Sequence, residues 1–279
     1  MSSRPTGTTR VAAVIGSPVR HSLSPVIHNA AFVERGLDWV YVALEVSPGH
    51  AAEAFAGIRA LGLAGVSVTT PHKDAAFAAV DELTPAARSM RAVNCVQSVD
   101  GRLIGHNTDG DGFVDSLRAD AGVDPAGRSV GVVGAGGAAR SIVEALARRG
   151  AAAVVVVNRT ASRGAEAASL AGAAGRVGTL EDLPGCDIVV NATSVGLGTD
   201  ELSIPTAALR AHHLVADVVY HPLETALLRA AAATGARTLD GLGMLVHQAA
   251  HQFTIWTGDA APVAAMRRAA EDELSRRAR

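Results

Sequence analysis

Along the first hundred residues, short apolar runs alternate with stretches whose apolar positions recur every three to four residues. Residues 11–15 are a run of the first kind, and 25–35, stopped by Gly36, are of the second. Residues 39–46 and 51–61, the latter stopped by Gly62, repeat the pair. Short apolar runs read as buried strands and period-3.6 stretches as amphipathic helices, so the rhythm predicts βαβα. It continues with a strand over 65–69, a helix from Lys73 to about Val80, and a hairpin of 95–99 and 103–106 around the Asp100-Gly101 turn.

A helical pattern over 110–121 runs into a loop at 122–127 rich in Gly, Pro and Asp, and a second βαβ series starts at Val130. Its strands, 130–133, 153–157, 188–190 and 214–219, are almost wholly apolar. That is expected of parallel strands covered on both faces, which makes the second sheet doubly wound. An amphipathic helix over 244–256, stopped by Gly258, precedes a charged helix at the C-terminus. The pattern predicts an α/β chain of two domains with a junction at 122–127, and two domains imply a cleft. A length of 279 residues accommodates both. Residues 1–9 are polar and read as a short disordered lead.

Composition narrows the partners. Hydrophobic residues make up 48% and charged residues 19%, which excludes disorder. A net charge of −2 provides no basic field for nucleic acid, so a small-molecule ligand is expected. No apolar run reaches the roughly 18 residues of a membrane span. The only cysteines, Cys95 and Cys186, supply neither a disulfide framework nor a zinc site. No metal is therefore expected, and the natural setting is a reducing cytoplasm. The apolar face of 25–35 is consistent with core or with a homodimer surface.

In Val130-Gly131-Val132-Val133-Gly134-Ala135-Gly136-Gly137-Ala138-Ala139 an apolar strand runs straight into G-x-G-x-x-A, and a helix follows. Gly134 permits a tight turn, Gly136 lets the backbone approach a pyrophosphate, and Ala139 allows close helix packing. Where an NAD enzyme places an acid for the ribose 2′-hydroxyl, this chain has Asn158, Arg159 and Thr160, with Arg163 a turn later. Two guanidinium groups and a hydroxyl suit a 2′-phosphate, so the expected cofactor is NADP. The competing reading is that the arginines cap a solvated loop.

Further polar clusters fall where apolar strands end. Ser22-Leu23-Ser24-Pro25 reads as a helix cap or a ligand group. In Ser67-Val68-Thr69-Thr70-Pro71-His72-Lys73 a lysine stands at a helix start, unfavourable for the dipole, and is a candidate for proton transfer or a plain surface residue. His72 reads as solvent-facing or a local hydrogen-bonder. Asn94 serves a site or a turn, and Asp109 a site or a helix cap. His247, Gln248 and His251 share one helix and, taken alone, read as packed or solvated.

Together with Asn107-Thr108-Asp109-Gly110, Asn191-Ala192-Thr193-Ser194 and Asp240-Gly241-Leu242-Gly243-Met244, these clusters occur in the order found in shikimate dehydrogenases, and the chain resembles that family from about Val11 to Trp256. The resemblance implies reversible NADPH-dependent reduction of 3-dehydroshikimate to shikimate. It implies Lys73 and Asp109 as the catalytic pair, and substrate contacts from these two with Ser22, Ser24, Thr69, Asn94, Tyr220 and Gln248. By the same resemblance Gly134, Ala135, Gly136, Gly137, Ala138, Asn158, Arg159, Thr160 and Arg163 are expected to hold the cofactor, and Val218 and Gly241 to line its nicotinamide end. It also implies a substrate domain of 1–109 plus 244–279 and a Rossmann-type cofactor domain of 110–243. The chain departs from the usual family pattern at Ser67, Thr70, His72 and Arg91. Alternatives are a paralogue acting on quinate or aminoshikimate, and a non-catalytic NADP-binding sensor.

Overall fold

The computed structural model describes residues 5–277. They form two compact units, one running to Thr108 and resuming at Gln248, the other Asp109–His247.

The first unit opens with β1 (Arg10–Gly16), α1 (Ser24–Glu34), β2 (Trp39–Glu45), α2 (Ala51–Leu61) and β3 (Gly65–Val68). It continues through α3 (Lys73–Ala79), β4 (Glu82–Leu83), α4 (Pro85–Met90), β5 (Cys95–Val99) and β6 (Arg102–His106). The sheet order is β2-β1-β3-β5-β6-β4. Strand β1 is parallel to β2 and β3, whereas β5 is antiparallel to β3 and β6. The ends of β1, β3 and β6 and the start of β5 therefore share one edge of the sheet. Asp100 and Gly101, at φ +49° and +80°, make the tight turn their residue types favour.

The second unit comprises α5 (Asp109–Ala119), β7 (Ser129–Val133), α6 (Gly137–Arg148), β8 (Ala153–Val157), α7 (Ala161–Ser169), β9 (Gly175–Gly178) and β10 (Ile188–Asn191). Then come β11 (Leu214–Asp217), α8 (Ala226–Ala233), β12 (Arg237–Leu239) and the first turns of α9 (Gly241–Thr257). All strand pairs are parallel, in the order β12-β11-β10-β7-β8-β9. Counted from β7 this is 6-5-4-1-2-3, the dinucleotide-binding order, whose switch point lies between β7 and β10. Separate cores cover the two faces: Val130, Val132 and Ile142 belong to one, Val133, Val189 and Leu227 to the other. That double burial is why the strands are apolar at consecutive positions.

The later turns of α9 and then α10 (Val263–Arg277) complete the first unit. Trp256 lies so close to Gly65 that a Cβ there would run into the indole, and its Nε1 donates to the Val96 carbonyl at 3.0 Å. Cys95 and Cys186 are buried in the core and form no disulfide.

Three expectations change. The disordered lead does not extend to residues 6–9: Thr8 and Thr9 donate to the Asp38 carboxylate at 3.0 and 2.7 Å, which pins a turn before β1, while residues 1–4 lie outside the described residues. The apolar face of α1 is core: Ile27, Ala31 and Phe32 are buried, α10 packs on the helix, and Phe32 meets the Phe253 ring at 5.6 Å. Helix α9 starts at Gly241, nearly one turn before 244, because Asp240 Oδ1 accepts from the Leu242 amide at 2.9 Å.

Candidate active site and cofactor cradle

In the first unit the predicted substrate residues gather at the shared sheet edge. Ser22 and Ser24 follow β1, and Ser22 Oγ accepts from the Ser24 amide at 3.2 Å. The N-cap position of α1 is Leu23, without a side-chain cap, so neither serine caps the helix from that position. Thr69 follows β3, where its amide donates to Ile15 O at 3.0 Å, and Lys73 opens α3 half-buried. His72 is buried rather than solvent-facing, and its Nε2 donates to the Val46 carbonyl at 2.7 Å. Arg91 closes α4 at φ +50°, a left-handed position that glycine adopts more easily.

Asn94 precedes β5 and is 2% exposed. It accepts from the Thr108 amide at 2.8 Å through Oδ1 and donates to Thr108 Oγ1 at 3.0 Å. The strand entry and the strand exit are thus tied together one residue before Asp109. From α9, Gln248 comes to the same network, accepting from Gln252 Nε2 at 2.7 Å, and Gln252 also reaches Thr108 Oγ1 at 3.3 Å.

In the second unit the strand ends build a cradle. Gly134 has φ +119°, and a Cβ there would sit 2.8 Å from the Ala192 carbonyl oxygen, so the turn admits only glycine. Gly136, the N-cap of α6, is different: a Cβ would meet nothing within 4 Å. The space in front of the helix N-terminus is open, which fits an approaching phosphate and the unpaired amides of a first helical turn. Asn158, Arg159 and Thr160 follow β8, and Arg163 lies in the first turn of α7. Both arginines are exposed and neither pairs with a carboxylate among the described residues, so their charges are available for an anion. Asn158 Nδ2 donates to Thr160 O at 2.9 Å, which orders the loop between them. At the other side of the switch point Gly241 abuts Val218, whose carbonyl oxygen leaves no room for a Cβ.

Asp217, at the end of β11, escapes the sequence reading. Its carboxylate accepts from Asn191 Nδ2 at 2.8 Å, Thr225 Oγ1 at 2.7 Å and the Val219 amide at 3.0 Å. It thereby fixes the loop carrying Val218 and Tyr220. Burial pushes its carboxyl up, against the effect of these donors.

The family profile of the shikimate dehydrogenase substrate binding domain matches residues 14–96, that of shikimate / quinate 5-dehydrogenase 119–198, and that of the shikimate 5'-dehydrogenase C-terminal domain 241–271. A protein of Moorella thermoacetica named shikimate dehydrogenase (NADP(+)) is 43% identical over 279 residues, covering 96% of this chain and 94% of its own. The chain belongs to the shikimate dehydrogenase family. A solved shikimate 5-dehydrogenase from Thermus thermophilus, in complex with NADP(H) and shikimate, superposes with a TM-score of 0.90 at 37% identity, covering 95% of this chain and 99% of that one. The 5-ketofructose reductase of a Gluconobacter strain also superposes, with a TM-score of 0.89 at 36% identity over 96% and 100% of the two chains. The shikimate dehydrogenase fold thus carries more than one substrate, and the polar residues at the sheet edge become the place to read specificity. Besides Asp217, sequence reasoning missed Tyr41, Ser67 and Gln252 as site residues. Gln252 had a visible signal, since it lies four residues after Gln248 on one helix face.

Proposed function

We propose that the protein is an NADP-dependent shikimate dehydrogenase, interconverting 3-dehydroshikimate and shikimate, with Lys73 and Asp109 as its acid–base pair. The observation that carries this reading is the near-full-length likeness to a relative of that name. When bound, NADPH supplies the hydride for the ketone carbon. The oxygen that becomes negative needs a proton, and Lys73 as an ammonium delivers it; in the oxidative direction the neutral amine removes it. Asp109 accepts from a substrate hydroxyl and orients the lysine. Ser22, Ser24, Thr69, Asn94, Tyr220 and Gln248 match the many oxygens of a polyhydroxy carboxylate. Arg159 and Arg163 take the 2′-phosphate, and Gly134 to Ala138 the pyrophosphate, with Val218 and Gly241 at the nicotinamide. The buried cysteines Cys95 and Cys186, outside any disulfide, suit work in the cytoplasm. Among the described residues no helix is long and apolar enough to cross a membrane.

The test is a panel of shikimate, quinate, aminoshikimate and the reduced partner of 5-ketofructose, each with NADP+ and NAD+, followed at the nicotinamide absorbance band. The highest kcat/KM is expected for shikimate with NADP+. A higher value for another polyol would reassign the substrate, and binding of NADPH without turnover of any would make the protein a sensor. Lys73→Ala is expected to lower kcat about 10²- to 10⁴-fold, the usual share of acid–base catalysis, with shikimate binding largely kept. Replacing both Arg159 and Arg163 with Ala should raise KM for NADP+ far more than for NAD+; equal effects would remove them from the 2′-phosphate site.

A further inference from the structure

Behind Gln248 runs a buried chain of side chains that the reaction itself does not use. Tyr41 on β2, Ser67 on β3 and Gln252 on α9 are 2%, 6% and 1% exposed. The Tyr41 hydroxyl donates to Ser67 Oγ at 2.6 Å, Ser67 donates to Gln252 Oε1 at 2.5 Å, and Gln252 Nε2 donates to Gln248 Oε1 at 2.7 Å. The chain thus reaches from β2 across β3 to the substrate-assigned Gln248 on α9. Donor and acceptor count gives it a direction. A hydroxyl has one proton, and burial pushes the Tyr41 phenol up, so it stays a donor. Ser67, receiving that proton, must spend its own on an acceptor, and only the oxygen end of the Gln252 amide is one. The nitrogen end of Gln252 then faces Gln248 and also reaches Thr108 Oγ1 and the Asn94 carbonyl at 3.3 and 3.5 Å. Gln248 meets it with its oxygen, which turns its own NH2 the other way.

We infer that Tyr41, Ser67 and Gln252 are positioning residues that lock the Gln248 amide with its NH2 toward the substrate, making it a hydrogen-bond donor to a substrate oxygen. This rests on the proposed role of Gln248 as a substrate ligand. Without the Tyr41 hydroxyl, Ser67 can accept as well as donate, only the long contact to the Asn94 carbonyl still orients the Gln252 amide, and Gln248 no longer offers a single face. Two amide orientations at an otherwise intact site weaken binding of the substrate and leave the cofactor and the proton transfer alone.

The experiment compares Tyr41→Phe, Ser67→Ala, Gln252→Leu and Gln248→Ala in steady-state kinetics with shikimate and NADP+. The expected result is a rise of about tenfold in KM for shikimate in each of the first three, the scale of one misdirected buried hydrogen bond. Their kcat should stay within about twofold and their KM for NADP+ should not change. Ser67→Thr, which keeps the hydroxyl, should restore the KM. Adding Tyr41→Phe to Gln248→Ala should cost nothing more, because the chain then has no end group to orient. Additive losses in that double variant, or losses in kcat and NADP+ binding alongside a lowered melting temperature, would mean a structural role and overturn the inference. An unchanged KM in Gln248→Ala would refute the ligand role beneath it. A raised KM there with unchanged values in the other three would refute the positioning alone.

Discussion

At the scale of single residues, His28 shows what burial does to a group whose sequence context gives no sign of it. It lies between Ile27 and Asn29 on α1, stacked on the Tyr41 ring at 4.4 Å and tilted against Trp256 at 5.0 Å. Neither ring nitrogen has a hydrogen-bond partner of good geometry, and desolvation pushes the imidazole down to about 3, with nearby Gln252 opposing only in part. In the unfolded chain a histidine takes its proton near 6.5. Between those values the unfolded state binds a proton that the folded state refuses, so stability is complete above pH 6.5 and is lost as pH falls toward 3. At pH 5 the loss is about 2 kcal/mol, from roughly 1.5 pH units at 1.36 kcal/mol each. His28→Phe, which keeps the stacking, is expected to flatten this limb when urea midpoints are measured between pH 7 and 5; an unchanged slope would assign the acid sensitivity elsewhere. Lys73, Asp109 and the arginines after β8 stand out as candidates in the sequence because polar residues at the ends of apolar strands are conspicuous, and the family resemblance alone gives Lys73 and Asp109 a catalytic role. The chain through Tyr41, Ser67 and Gln252 does not stand out, beyond the four-residue spacing of Gln248 and Gln252, since it depends on three elements far apart in the sequence meeting in one place.

At the scale of elements, the glycines that matter are those where two backbones meet. Gly110, the second residue of α5, would place a Cβ against the Ser141 carbonyl oxygen and 2.7 Å from Ala145 Cβ, both on α6. Backbone cannot yield as a flexible side chain can, so Gly110→Ala must push α5 away from α6. Overpacking of this kind costs about 1–3 kcal/mol. Asp109 is the neighbouring residue, so the shift moves the proposed catalytic carboxylate as well. The expected outcome is a lower melting temperature together with a fall in kcat larger than any change in KM for NADPH; full activity at wild-type stability would show that the two helices separate freely. The elements that the hydrophobic pattern revealed are those buried on one face or both, such as β7, β8, β10 and β11. The ones it hid are marginal: β9 is Gly-Arg-Val-Gly and β12 Arg-Thr-Leu, edge strands whose exposed positions produce no apolar run, and β4 is two residues long. Without β9 and β12 the pattern specified a parallel sheet but not its six-strand order.

At the scale of the whole molecule, the first unit is discontinuous, and the helices that complete it come from the C-terminus. Both tryptophans, Trp39 and Trp256, belong to that unit, so their fluorescence reports its unfolding while far-ultraviolet circular dichroism reports both units. Met266 on α10 is fully buried, and truncating such a side chain to alanine costs about 2–5 kcal/mol through lost transfer energy and the cavity left behind. The proposed cofactor residues lie in the other unit, and saturating NADP+ at about 100 times its Kd would stabilise that unit by about 2.7 kcal/mol. Met266→Ala with NADP+ present therefore weakens one unit and strengthens the other. If each unit unfolds as its own cooperative body, the fluorescence midpoint should fall well below the dichroism midpoint in this variant, and added NADP+ should widen the gap. Coincident midpoints under all these conditions would show instead that the units unfold together, with the loss at Met266 and the gain from NADP+ summed over a single transition.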